Sequence, residues 1–242
     1  MNTKNKKLRV SNLLVQTIKK DIKHIHLGVH PPAGRIRVAA PLDTSDETIQ
    51  MFVSSKMPWI RRQQRKFLQQ DRETRREYVT GESHYFLGRR YLLDVNLTET
   101  TPGVEIRRNT HINLNVRPGM ESRQRGAVLE AFYRRELKKL VPGRVSRWGN
   151  RLGVEVNEVR IKKMKTKWGS CNAENRRIWL NLELAKAPSR CIDYVIIHEM
   201  IHLLEPRHSK RFAEILRSVC PNFEQDKAIL SAGPLGYFEW KC

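Results

Sequence analysis

The run from Val195 to His208, VIIHEMIHLLEPRH, constrains the chain more than any other segment. Val195, Ile196, Ile197, Met200, Ile201, Leu203 and Leu204 point in almost every direction round a helix, and a helix that is apolar on most sides is a buried one. Two histidines interrupt it. His198 and His202 are four residues apart, which on a helix places them one turn apart on the same face. Imidazoles carried into a core need partners, and one tetrahedral metal ion can satisfy both. Glu199 lies ~100° round from His198, where it can hydrogen-bond a metal-bound water without being a ligand. Any fold for this chain has to bury this helix.

The pattern is HExxH, the spacing used for zinc-dependent hydrolysis. Chance supplies only ~0.02 such windows in a chain of this composition. Two plainer readings compete: a pair of core histidines satisfied by carbonyls, and a closed structural zinc. Glu199 argues against the structural zinc, because a closed site has no use for a base at that position. A catalytic zinc keeps three protein ligands and one open position. His208 is the leading third ligand, six residues after His202 and just past Pro206, which disfavours helical geometry at Glu205 and turns the chain back. Glu205 and Glu214 are rival ligands. His24, His26, His30, His84 and His111 lie far upstream and read as ordinary surface or core histidines.

Charge is the next constraint. The 242 residues carry 46 Lys and Arg against 25 Asp and Glu, a net +21 that attracts polyanions. DNA is therefore a candidate partner. The excess is concentrated from Met57 to Arg90 and again from Arg117 to Lys167, and Arg134, Arg135, Lys138 and Lys139 on one expected helix are the candidate nucleic-acid contacts. No run approaches the ~18 apolar residues of a membrane helix. The polar, basic start has no apolar core behind it, so the expectation is no signal peptide, no membrane and a cytoplasmic protein. Cys171, Cys191, Cys220 and Cys242 form no CxxC pair and read as reduced thiols.

The first half is strand-rich. Leu8–Ile18, Ile25–Val29 and Arg35–Ala40 alternate, with a hairpin turn expected over Pro31–Gly34. Thr44 or Ser45 caps a helix through Val53, and Pro58 opens another to about Gln70. Gly81–Thr98, Val104–Arg107 and Ile112–Val116 return to strand character. Pro118-Gly119 is the expected boundary between residues 1–118 and 119–242. Beyond it, Glu121–Val141 reads as an amphipathic helix stopped by Pro142-Gly143, with another over Arg144–Arg151. Val159–Ile161 and Ile178–Leu182 read as strands round WGSC (Trp168 to Cys171). Helices follow from Pro188 or Ser189 to about Leu204, over Ser209–Val219 and over Glu224–Ile229. Trp168-Gly169 suits a sharp bend with its ring on the core. An edge strand there, either Ile178–Leu182 or the strand feeding Trp168, can pair with an extended substrate. Ser170 and Cys171 have no base beside them and are not candidate nucleophiles.

KTKWGSC (Lys165 to Cys171), IDYVIIHEMIHLLEPRHSKRF (Ile192 to Phe212), FVSSKMPWI (Phe52 to Ile60) and YVTGESHYFLGRRYLL (Tyr78 to Leu93) together resemble the YgjP-like family of bacterial zinc metallopeptidases. That family is itself similar to the SprT- and Spartan-like proteases and to minimal zincins. The resemblance implies an α+β fold, a zincin-like metallopeptidase domain on the HExxH helix preceded by the strand-rich half. It implies Zn2+ bound by His198, His202 and His208, with Glu199 as the catalytic carboxylate acting on a protein or peptide. Tyr194, Arg207 and Tyr237 are candidate oxyanion donors. A DNA-associated protease, and a nucleic-acid-binding module with a structural zinc, are the alternatives. Oligomeric state is left open.

Overall fold

The structure, a computed structural model, describes residues 4–30, 34–69, 76–164 and 167–232. Pro31–Ala33 of the expected turn, Arg72, Arg75, Lys165, Thr166, Tyr237, Cys242 and the rest of the tail from Gly233 lie outside the described residues. The chain divides into two compact units between Asp71 and Arg72.

In the first unit, strands β1 (Lys4–Val10), β2 (Leu13–Lys20), β3 (His26–His30) and β4 (Arg35–Pro41) form one sheet in the order β1-β2-β4-β3. The central β2–β4 pair is parallel and the two outer pairs are antiparallel. Alternation puts Ile36, Val38 and Ala40 on the inner face, against Ile49 and Val53 of helix α1 (Asp46–Ser55) and Ile60 of α2 (Met57–Gln69). Ser45 caps α1, its hydroxyl accepting the Thr48 N–H at 3.1 Å. Leu8–Ile18, expected as one strand, is a hairpin. It turns at Ser11, whose φ of 53° lies in the left-handed region. The alternation resumes beyond the turn, so periodicity alone does not reveal the break.

The second unit opens with the same topology. β5 (Ser83–Phe86), β6 (Arg89–Leu97), β7 (Gly103–Arg107) and β8 (His111–Val116) pair in the order β5-β6-β8-β7, again two hairpins joined through a central parallel pair. Helix α3 (Ser122–Leu152) follows, then a three-stranded sheet of β9 (Glu158–Lys162), β10 (Gly169–Asn172) and β11 (Arg177–Asn181) in the order β10-β11-β9. A short 3-10 turn at Leu182–Ala185 leads into α4 (Ser189–Ile201), α5 (Lys210–Val219) and α6 (Phe223–Ala232). The fold is mixed α and β. One core joins Leu93, Ile112 and Leu114 to Leu129 and Leu137 of α3 and to Ile192 and Ile196 of α4. Because β5–β8 share that core, the compact units part near residue 71 and not at Pro118-Gly119. Among the described residues, no helix is long and apolar enough to cross a membrane.

Pro142 does not end α3. It removes one N–H donor and crowds the preceding turn, but the helix is anchored on both sides of it. Phe132, Tyr133 and Leu137 are buried before it. After it, Asp193 of α4 accepts hydrogen bonds from Arg144 Nη1 (2.6 Å), Arg147 Nη2 (2.8 Å) and Trp148 Nε1 (2.8 Å). Gly153, at φ 64°, supplies the left-handed cap. The β5–β6 turn fixes the start of α4 in turn. Leu87 N–H donates to Ala185 O (2.8 Å) and Gly88 N–H to Lys186 O (3.1 Å). Gly88 has φ +80°, and a Cβ there would lie 2.8 Å from Pro188 Cα, so two constraints require glycine.

Candidate metal centre

Helix α4 is buried on nearly every side, with Cys191, Ile192, Val195, Ile196, Ile197, Met200 and Ile201 in the core. Its last turn carries His198, and His202 is its C-terminal cap, still in helical conformation. The helix ends at Ile201 and not near Leu204; Leu203 and Leu204 continue in tight turns. The one-turn spacing of the two histidines is preserved. His208 stands in the following loop, next to Ser209, whose hydroxyl caps α5 by accepting the Phe212 N–H at 3.2 Å.

The three imidazoles converge. Each offers a nitrogen within 4.8 Å of the others, and His198 Nε2 faces His208 Nε2 at 3.0 Å. Among the described residues this is the one group of three or more His, Cys, Asp or Glu arranged to hold a metal ion. Glu205 and Glu214 do not join it. Phe212 is the floor beneath all three, its ring centroid 5.0, 4.9 and 4.7 Å from those of His198, His202 and His208. Nδ1 of His202 lies 3.3 Å from the Glu205 carbonyl, which can only accept, so Nδ1 carries the proton and Nε2 keeps its lone pair. Nδ1 of His198 is buried with no hydrogen-bond partner among the described residues. Burial, helped by the other two imidazoles, pushes His198 down to about 4, and burial lowers His202 as well. At neutral pH these rings are therefore uncharged and able to donate lone pairs. Three converging imidazoles, one of them oriented by a carbonyl, fit a divalent cation such as zinc.

Glu199 is adjacent to this cluster and outside it. Only 6% exposed, its carboxyl is pushed up to about 7 by burial, with Lys167 pulling in the opposite direction. Its carboxylate rests on β10. A Cβ on Gly169 would lie 2.6 Å from Glu199 Oε1, so the glycine of the WGSC block makes room for it. Among the described residues β10 is an edge strand, hydrogen-bonded to β11 alone, whereas β11 is flanked on both sides. This settles the two strand alternatives: Ile178–Leu182 corresponds to the central strand. A cavity of about 550 Å³ lies between β10 and α4, closed by α6, and its walls include Trp168, Gly169, Cys171, Tyr194 and the three histidines. Trp168 is half-buried against the core. Burial raises the Cys171 thiol to about 11, which leaves it inert as a nucleophile.

The candidate DNA contacts are in large part engaged within the fold. Arg134 Nη1 donates to the Ile161 carbonyl of β9 at 2.6 Å. Arg135 and Lys139 both bind Glu136, at 3.1 and 3.0 Å. Lys138 borders a separate groove between α3 and β9. His84 is a buried structural histidine, 3.4 Å from Glu82 Oε2 and stacked on Tyr78. Phe212, Gly169, Lys167 and Lys227 are site residues that the sequence reading did not single out. Phe212 alone had a local signal, an aromatic four residues after His208.

A family model, the YgjP-like metallopeptidase domain, matches residues 23–232. No curated protein matches the chain. Among solved structures, the chain is similar to the metallopeptidase zymogen of Pyrococcus abyssi abylysin, at 25% identity over 37% of this chain and 87% of that one, with a TM-score of 0.33. It is likewise similar to the metallopeptidase zymogen of Methanocaldococcus jannaschii jannalysin, at 24% identity over 36% and 85%, with a TM-score of 0.31. With most of its length matched by the family model, the chain belongs to the YgjP-like metallopeptidase family and is a metal-dependent peptidase.

Proposed function

We propose that the protein is a zinc peptidase in which His198, His202 and His208 hold the metal and Glu199 is the proton-transfer group. The observation that carries this reading is the pairing of three converging imidazoles with a buried carboxyl, that of Glu199, directly beside them. Zinc held by these residues would supply Lewis-acid activation of the attacking water and of the scissile carbonyl. Burial pushes the Glu199 carboxyl up to about 7 in the metal-free site, and as the proton-transfer group its carboxylate would take a proton from the attacking side and return it to the leaving amine. β10 offers an unpaired backbone edge along the cavity, where an extended peptide adds as a further strand. A purely structural zinc would leave a buried, uptitrated carboxyl beside it without a role.

The test is Glu199→Gln. The variant keeps its fold and its zinc and loses peptide hydrolysis by ~10³-fold or more, since general-base help is removed. Equal turnover by pure, metal-loaded variant would refute the assignment.

A second reading, a protease acting on proteins held on DNA, is favoured by one observation in the first unit. Arg61, Arg62 and Arg65 of α2 are exposed and make no ion pair or hydrogen bond among the described residues. With Arg134, Arg135 and Lys139 of α3 engaged, α2 is the better candidate for a phosphate-contacting surface.

A further inference from the structure

The cavity beside the three histidines has a charge arrangement that the chemistry of peptide hydrolysis does not require. Its charged lining, apart from the histidines, is Lys167, Lys227 and Glu199. Glu199 is almost wholly buried, while both lysines are exposed. The Lys167 carbonyl accepts a hydrogen bond from Asn181 Nδ2 at 2.8 Å, but neither lysine's ammonium group makes an ion pair or hydrogen bond with a described residue. They stand at different places along the cleft. Lys167 stands two residues before edge strand β10, and its charge acts on Glu199 and His202. Lys227 is on α6, and its charge acts on His198. A bound divalent cation would add positive charge to the same cleft. An extended peptide lying in it would therefore meet two unpaired ammonium groups beside the residues that cleave it.

We propose that Lys167 and Lys227 are specificity determinants that select acidic polypeptide segments, with Asp or Glu flanking the residues at the scissile bond. This rests on the assignment of the cleft as the active site. An acidic segment supplies the counter-charges both lysines lack, at sites where exposed ion pairs steer and orient more than they bind. Unlike the arginines of α2, these cations line the cavity that holds the reacting groups, so they read the substrate itself.

The test uses three labelled peptides of one length and one central sequence, flanked by Glu, Gln or Lys. Binding is measured by fluorescence anisotropy to the zinc-loaded full-length Glu199→Gln variant, and relative kcat/KM with the wild type. The Glu peptide is favoured over the Gln peptide by about tenfold at low salt, two exposed pairs contributing together, and by about twofold or less near 0.5 M salt. Changing Lys167 and Lys227 to Gln abolishes that ratio, and changing both to Glu turns the preference toward the Lys peptide. Equal binding of all three peptides, or a preference that survives removal of both lysines, overturns the proposal and leaves the metal-site assignment standing. Binding of no peptide of any charge overturns the cleft assignment and the proposal together. Displacement of the Glu peptide by an oligothymidylate of equal charge, at equal concentration, overturns it in favour of nucleic acid. The salt dependence of the wild type keeps the test decisive if a lysine variant folds poorly.

Discussion

A single methyl group at Gly169 should disable the enzyme without touching a metal ligand. The added Cβ would lie 2.6 Å from Glu199 Oε1, 2.7 Å from Cγ and 2.9 Å from Cδ, where ordinary contacts begin at 3.4 Å. One of the two has to retreat by about 0.8 Å, and both are held in packed surroundings: β10 is bonded to β11, and Glu199 sits on a helix buried on nearly every side. A misplacement of ~1 Å in a catalytic group costs ~10²-fold. Gly169→Ala should therefore lower kcat/KM about 10- to 100-fold while zinc stoichiometry stays unchanged. Overpacking of this kind costs ~1–3 kcal/mol, a drop of very roughly 2–10 °C in Tm for a unit of this size. Gly143→Ala is the matched control, since its Cβ meets nothing within 4 Å in the middle of α3. It should leave activity intact and stabilise by about 0.5–1 kcal/mol. The assay is hydrolysis of a quenched fluorescent peptide together with metal analysis of the same preparation. Full activity in zinc-loaded Gly169→Ala would refute the claim that the WGSC strand positions Glu199.

Asp193→Asn should loosen α4 from the second half of α3, because it weakens bonds from Arg144, Arg147 and Trp148 together. A loss of about 2–4 kcal/mol by denaturant unfolding is expected, and no loss would show that Pro142 is tolerated for some other reason. His84 gives a pH signature remote from the metal site. Burial holds its folded pKa below the usual 6.5, so the unfolded chain binds the proton more readily, and the stability it contributes is present above 6.5 and lost as pH falls below it. Wild type should lose more stability than His84→Gln between about pH 7 and pH 5; parallel curves for the two would contradict this.

The site was legible in the sequence where helical periodicity turns spacing into geometry. His198, Glu199 and His202 needed only the rotation of a helix, and Pro206 signalled the turn that brings His208 back. Gly169 and Lys227 were not legible, because they reach the site through sheet pairing and through α6, contacts between residues dozens of positions apart. The same limit applies to the fold. The alternation of Leu8–Ile18 hid a hairpin, because the pattern continues beyond Ser11. Pro142-Gly143 read as a stop because its local cost is real, while the Asp193 contacts that offset it lie about 50 residues away. No sequence repeat marks the shared topology of β1–β4 and β5–β8, since strand order depends on which strands pair and not on which residues recur. The cations of α3 looked available for DNA until Glu136 and the Ile161 carbonyl were placed beside them.

Metal stoichiometry tests the central claim most directly. Purified protein loaded with zinc and freed of excess should carry about one zinc per chain by elemental analysis, with tight binding abolished in a His198→Ala/His202→Ala double variant that retains its circular dichroism spectrum. Undiminished zinc in the folded double variant would contradict the account.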